Sequence, residues 1–272
     1  MFSMDNEPKV VVVTGASSGL GRSCADYLAG CGYRVYGTYR RTAIEGAGFE
    51  PLVMDVDDED SVCGGMRRVL DAEGRIDVLI CCAGYGVAGS VEDTSIEEAQ
   101  AQFNTNVFGV MRACRAVLPH MRQRGDGLII IISSLGGLIS APYHGLYCSS
   151  KFAIEGLAEA LRMEVERFGV RVSMIEPGDF RTGFTANRVG CRECGPDYRE
   201  CYEKSVREMA RSEQNGADPV LVARLAQRII ESGNPRLRYP VGPRFQLLAP
   251  VLKKFLPQGV FEKIIKSFYK ID

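Results

Sequence analysis

Residues Val10–Gly21 read "VVVVTGASSGLG": four valines, then a turn with glycines at 15, 19 and 21. A strand that is apolar throughout, rather than alternating, is expected where both faces of a sheet are covered, as in parallel sheets. The turn opens a segment of helical period. Gly15 allows a tight reversal, Gly19 allows close approach to a pyrophosphate, and Gly21 allows the helix to pack on the strand. The unpaired N–H groups of the helix start then face the phosphates, with Ser17, Ser18 and Leu20 filling the turn.

The same rhythm continues outward. Short apolar runs, "YRVYGTY", "EPLVMD", "DVLICC", "GLIIIIS", "VRVSMIEP" and "RLRYPV", alternate with longer helical segments, among them Ile96 to Arg122 and Tyr147 to Phe168. This predicts an α/β fold: a doubly wound, mostly parallel seven-stranded sheet of the Rossmann type. The absence of a linker predicts one domain over residues 1–272, with an N-terminal tail at 1–8. Residues 181–216 are too long and polar for a simple connector and are expected to form a substrate lid. Residues 243–272 form a helical C-terminal extension divided by Pro257 and Gly259.

The chain of 272 residues has 33 Lys+Arg against 34 Asp+Glu and no basic block before the C-terminus, which disfavours nucleic-acid binding. Its ten cysteines are scattered, several within apolar runs, which suits small buried hydrophobes in a reduced, cytoplasmic setting. The N-terminus has neither a secretory signal nor a membrane span. Cys191-x-x-Cys194 with Cys201 nearby lacks a fourth ligand of good spacing, so no metal is expected.

A second motif, "YCSSK", puts Tyr147 and Lys151 on one helix face. An ammonium beside a phenol favours phenolate and is expected to bring its pKa towards the working range of acid–base catalysis. Together the two motifs resemble the short-chain dehydrogenase/reductase family. Further family signposts follow in order: "CCAG" at Cys81–Gly84, "NTNVFG" at Asn104–Gly109, "IISS" at Ile131–Ser134 and "PGDFRT" at Pro177–Thr182. The resemblance covers nearly all of residues 9 to 242. It implies Tyr147 as general acid/base, Lys151 as its partner, Ser134 polarising the substrate carbonyl and Asn106 holding a water of the proton relay. It also implies cofactor contacts at Val56, Cys82, Ala83, Gly84, Pro177, Gly178 and Thr182, and an adenine contact at Asp55. The family's usual Asn-Asn-Ala-Gly is here Cys81-Cys82-Ala83-Gly84.

At the end of the second strand, an acid selects the ribose 2′-hydroxyl of NAD and an arginine the 2′-phosphate of NADP. "VYGTYRR" offers Tyr39 and then Arg40, which predicts NADP(H). The expected reaction interconverts a carbonyl and an alcohol by hydride transfer. "RVYGTYRR" and the C-terminal extension resemble the steroid- and retinol-dehydrogenase branch, implying a lipophilic steroid, retinoid or acyl ketone substrate. The rivals are an NAD-dependent dehydrogenase with the same site and a catalytically silent nucleotide sensor or scaffold. His144, three before Tyr147, offers two readings: a contact to substrate or, preferred, an exposed loop histidine with no task. The family implies a homodimer or homotetramer, and the amphipathic C-terminal helix is expected to pack on its own domain or a partner subunit, with a weak membrane-surface contact as the alternative.

Overall fold

A computed structural model describes residues 7–41 and 46–271, so most of the tail expected at 1–8 lies outside the described residues. In chain order the elements are β1 (Val10–Val13), α1 (Gly19–Gly30), β2 (Arg34–Tyr39), β3 (Glu50–Val53), α2 (Glu59–Glu73), β4 (Val78–Cys81), β5 (Val87–Ala88), α3 (Ile96–Phe103), α4 (Gly109–Arg124) and β6 (Gly127–Ile132). Then come α5 (Gly145–Val165), β7 (Val170–Pro177), α6 (Phe184–Asn187), β8 (Val189–Gly190), α7 (Pro196–Gln214), α8 (Val220–Glu231), β9 (Arg238–Val241), α9 (Arg244–Phe255) and α10 (Gln258–Tyr269).

Seven strands form one sheet in the order β3-β2-β1-β4-β6-β7-β9, every pairing parallel. Successive strand residues enter opposite cores. Val10, Val12, Leu79, Ile129 and Ile131 pack under α2, α4 and α5, while Val11, Val13, Ile80 and Ile130 pack under α1 and α8. The unbroken valine and isoleucine runs are explained by this two-sided burial. From β1 the chain winds one way to β3, then crosses to β4 and winds the other way. The crevice at that reversal, at the strands' carboxyl ends, is where this architecture places its ligands.

One expectation needs correction. The helix expected from Ile96 to Arg122 is broken at Asn104–Phe108 by a single π-helical turn, a widened geometry found often at functional sites. Residues 181–216 hold α6, the 19-residue α7, and β8, which pairs with β5 in a separate small sheet. Among the described residues no helix is long and apolar enough to cross a membrane.

Candidate active site

The carboxyl ends of the central strands open into one cleft of about 910 Å³. Every site residue read from the sequence lines it except Asn106. Gly15 sits at φ +69°, and a Cβ there would come within 2.7 Å of the Ala83 backbone. Gly19 sits at φ +58°, and a Cβ on Gly21 would run into the Gly15 carbonyl oxygen. No side chain from Ser18 caps α1, so the first-turn amides are left without a side-chain partner beside the cleft. The Thr14 hydroxyl accepts from the amides of Cys82 and Ala83 (3.0 and 3.1 Å) and so ties the turn to the exit of β4. That bond supplies bracing where the family's usual amide side chains are missing. Burial pushes the Cys82 thiol up to about 12, so it stays neutral.

At the end of β2, Arg40 is half exposed and donates to Asp57 at 3.2 Å. Asp55 closes the turn after β3 by accepting from the Asp57 amide at 3.1 Å.

Tyr147 and Lys151 lie one turn apart on α5. The Lys151 ammonium stands 5.7 Å from the Tyr147 ring centroid and donates to the Ile132 carbonyl at 3.0 Å. The expected depression of the phenol's pKa is overturned. Burial pushes Tyr147 well above the usual tyrosine range, and a hydrogen bond with the Ser134 hydroxyl opposes this only in part. Burial also lowers Lys151 to about 8, against the opposing pull of Cys82 and Glu155. Desolvation is the largest cause for both groups. Ser134 follows the end of β6 and accepts from the Gly136 amide at 3.0 Å, which fixes its hydroxyl beside Tyr147.

Asn106 lies in the π turn, buried behind the cleft wall. Its Nδ2 donates to the Tyr85 carbonyl (2.9 Å) and the Ser150 hydroxyl (3.0 Å), and its Oδ1 accepts from the Tyr85 amide (3.1 Å). Both side-chain protons are committed. Of its side-chain capacity only the second Oδ1 lone pair is left to hold a water.

His144 is not the exposed residue expected. It is buried, stacked on Tyr147, and lowered to about 3 chiefly by burial and then by the Arg188 charge. Its Nε2 has no hydrogen-bond partner among the described residues.

Several cleft residues were not found from sequence. Asp179 accepts from Gln246 at 2.5 Å and from Ser212, while Glu213 bonds Thr185 and Arg188. After burial, the charges of both carboxylates add to the upward shift of the Tyr147 phenol. The C-terminal extension supplies the apolar roof through Phe245, Leu252, Phe261, Ile264 and Phe268. Its hydrophobic stripe was visible, but which side met the cleft depends on tertiary packing.

The family model for short chain dehydrogenase matches residues 9–190. A 3-ketodihydrosphingosine reductase of Bacteroides thetaiotaomicron is 40% identical over 97% of this chain and 99% of its own. The 17-beta-hydroxysteroid dehydrogenase type 1 of Mus musculus is 34% identical over 89% of this chain and 76% of its own. A solved short-chain dehydrogenase from Streptomyces avermitilis superposes with TM-score 0.81 at 32% identity, covering 97% of this chain and 99% of that one. A Burkholderia phymatum homologue in complex with NAD (TM-score 0.79, 25% identity, 97% of each chain) has the same fold. So does a Thermococcus sibiricus alcohol dehydrogenase with 5-hydroxy-NADP (TM-score 0.72, 26% identity, 88% of this chain and 98% of that one). The chain belongs to the short-chain dehydrogenase/reductase family, oxidoreductases of carbonyl and alcohol groups, on its steroid-dehydrogenase-like branch.

Proposed function

We propose that the protein is an NADP(H)-dependent reductase of a long-chain lipophilic ketone, with Tyr147 as general acid. The observation that carries this is the meeting of Tyr147, Ser134 and Lys151 with the Gly15–Gly21 turn in one cleft. The cofactor fits the residues present. Positive φ at Gly15 and Gly19 and the absence of side chains there leave the turn backbone bare, and the uncapped α1 start offers its amides to a pyrophosphate. Arg40 offers a guanidinium to a 2′-phosphate where Tyr39 replaces the acid of NAD enzymes. When bound, the dinucleotide supplies the hydride.

The chain's own residues do the rest. Burial keeps the proton on Tyr147, which suits a donor to a carbonyl oxygen that gains electrons. Ser134 polarises that oxygen, and Lys151, cationic below about pH 8, holds positive charge beside the phenol as it gives up its proton. Asn106 braces the Tyr85 loop and holds a relay water through its remaining Oδ1 lone pair. Pro177, Gly178 and Thr182 line the nicotinamide end, and Asp55, Val56, Cys82, Ala83 and Gly84 the adenosine end. Residues 181–216 serve as the lid over this single domain.

Among steroid, retinoid and long-chain acyl substrates, Asp179, which has only the neutral partners Gln246 and Ser212, favours the last, with a cation near the carbonyl. A steroid or retinoid meets a carboxylate only through a neutral hydroxyl, whereas a long-chain amino ketone brings a cation. The ketodihydrosphingosine reductase is the relative that agrees with this chemistry. The test is NADPH oxidation with 3-ketodihydrosphingosine, estrone and retinal. Faster turnover of either uncharged substrate, or a preference for NADH, overturns the corresponding part of the reading. Exposed Phe108 and Met111 near the start of α4, with Phe152 on α5, support a homodimer or homotetramer through those helices, which size-exclusion chromatography reads. The ten free thiols suit a reduced, cytoplasmic setting.

A further inference from the structure

Helices α9 and α10 carry more apolar surface than they bury. On α9, Phe245, Leu248, Val251, Leu252 and Phe255 recur at three- and four-residue steps, and all are exposed, Phe255 at 81%. On α10 the chain divides into three arcs. Phe261 turns inward and is buried, Val260, Ile264 and Phe268 form an exposed apolar row, and Lys263, Lys266 and Lys270 form an exposed basic one. A helix that only packs on its own domain needs an inner apolar stripe and an outer polar face. An exposed apolar arc between the two is the pattern of a helix lying in a lipid–water interface.

Charge identifies the partner. Residues 243–272 hold six Lys and Arg against two Asp and Glu, in a chain whose net charge is −1. Lys253 is committed to the Leu138 carbonyl at 2.8 Å. Lys254, Lys263, Lys266 and Lys270 are exposed, and among the described residues none is ion-paired. The apolar face is also continuous with the cleft, because Phe245, Leu252, Ile264 and Phe268 both line it and reach the surface. The Phe245 and Phe268 rings, 6.5 Å apart, join the two helices at that point.

We propose that the exposed face of α9 and α10 docks on an anionic lipid bilayer and holds the mouth of the cleft at the interface. The lysines meet headgroup phosphates while Leu248, Val251 and Phe255 enter the acyl boundary. A lipophilic substrate then passes from the bilayer along an apolar path without crossing water. Docking concerns the surface and not the reaction, so vesicle binding reads it whether or not any ketone is reduced.

The test is co-sedimentation of the full chain with phosphatidylcholine vesicles, with and without phosphatidylglycerol. The protein should bind the anionic vesicles, and added salt should weaken binding. Leu248→Ser/Val251→Ser/Phe255→Ser, three positions outside the cleft lining, should reduce binding about tenfold while NADPH affinity and the thermal melt hold. Lys254→Glu/Lys263→Glu/Lys266→Glu should abolish the preference for anionic lipid. No binding to either vesicle, or serine-variant binding equal to the parent, overturns the proposal. A larger wild-type assembly that the serine variant dissociates overturns it too, by making this face a subunit contact.

Discussion

His144 lies against Tyr147 with ring centroids 4.4 Å apart and planes 13° from parallel, while Phe184 meets the same phenol edge-on at 5.6 Å. Phe184 belongs to α6, within the lid segment, so lid position and phenol orientation are coupled through aromatic contact. The phenol is held in place by packing, and its hydroxyl is left to Ser134 and the substrate.

Replacing Tyr147 by Phe retains the stack and removes only the proton. With an active ketone, kcat should fall by roughly two to four orders of magnitude. NADPH affinity, read by the cofactor's own fluorescence, should stay within about threefold, because the ring still fills its place. Near-full turnover in Tyr147→Phe defeats the assigned role.

The pH dependence of ketone reduction should follow Lys151. With Lys151 at about 8 and Tyr147 protonated well beyond that, kcat/KM should be level near pH 6–7 and fall above about pH 8 as the ammonium is lost. His144, at about 3, stays neutral throughout and adds no acid limb. An inflection between about pH 6 and pH 7 that disappears in His144→Phe would show the histidine titrating instead.

Arg40→Ala should lower kcat/KM for NADPH by about tenfold or more and leave the NADH value unchanged or raised, since a charge-assisted bond contributes about 1.5–3 kcal/mol. The partner Asp57 then loses its cation but remains solvated, so the fold should survive. Equal losses with both cofactors would show Arg40 to be structural.

The glycine turn was legible because each glycine answers a local requirement: φ at 15 and 19, and backbone contact at 21. The strands were legible because two-sided burial leaves a compositional trace, and Tyr147 and Lys151 because a helical turn joins them. His144 was not, since its burial comes with its stacking on Tyr147, whose ring is packed in turn by Phe184, forty residues on along the chain from His144. Asp179 and Glu213 reach the cleft through a lid whose fold depends on the Arg188–Glu213 pair, and no local pattern announces that pair. The π turn at Asn104–Phe108 likewise leaves the apolar period of the flanking helices intact while displacing Asn106 behind the wall.

Behind Lys151, Arg238 serves three carboxylates: Glu155, Glu176 at 2.8 Å and Glu159 at 2.6 Å. Burial, with Glu176 nearby, raises Glu155 to about 7. A carboxyl raised in the folded state binds its proton more tightly there, so its stabilising contribution is full below about pH 4.5 and lost as pH rises towards about 7. Thermal melts of the wild type should therefore decline across that window more steeply than those of Glu155→Gln, which cannot titrate. Parallel slopes would place the titration elsewhere.

Asp179 offers the sharpest separation of substrate classes. Asn in its place still accepts from Ser212 and Gln246, so the anchoring of α7 and α9 persists while the charge goes. For a long-chain amino ketone, KM should rise about tenfold, the range of one lost charge-assisted contact in a partly open cleft. For an uncharged ketone of equal length it should move little, and kcat should change less than KM for both, because the carboxylate acts on the bound cation rather than on the proton held by Tyr147. If Asp179→Asn weakens both substrates alike, the carboxylate only positions Gln246, and the preference for a cationic substrate fails while the reductase assignment stands.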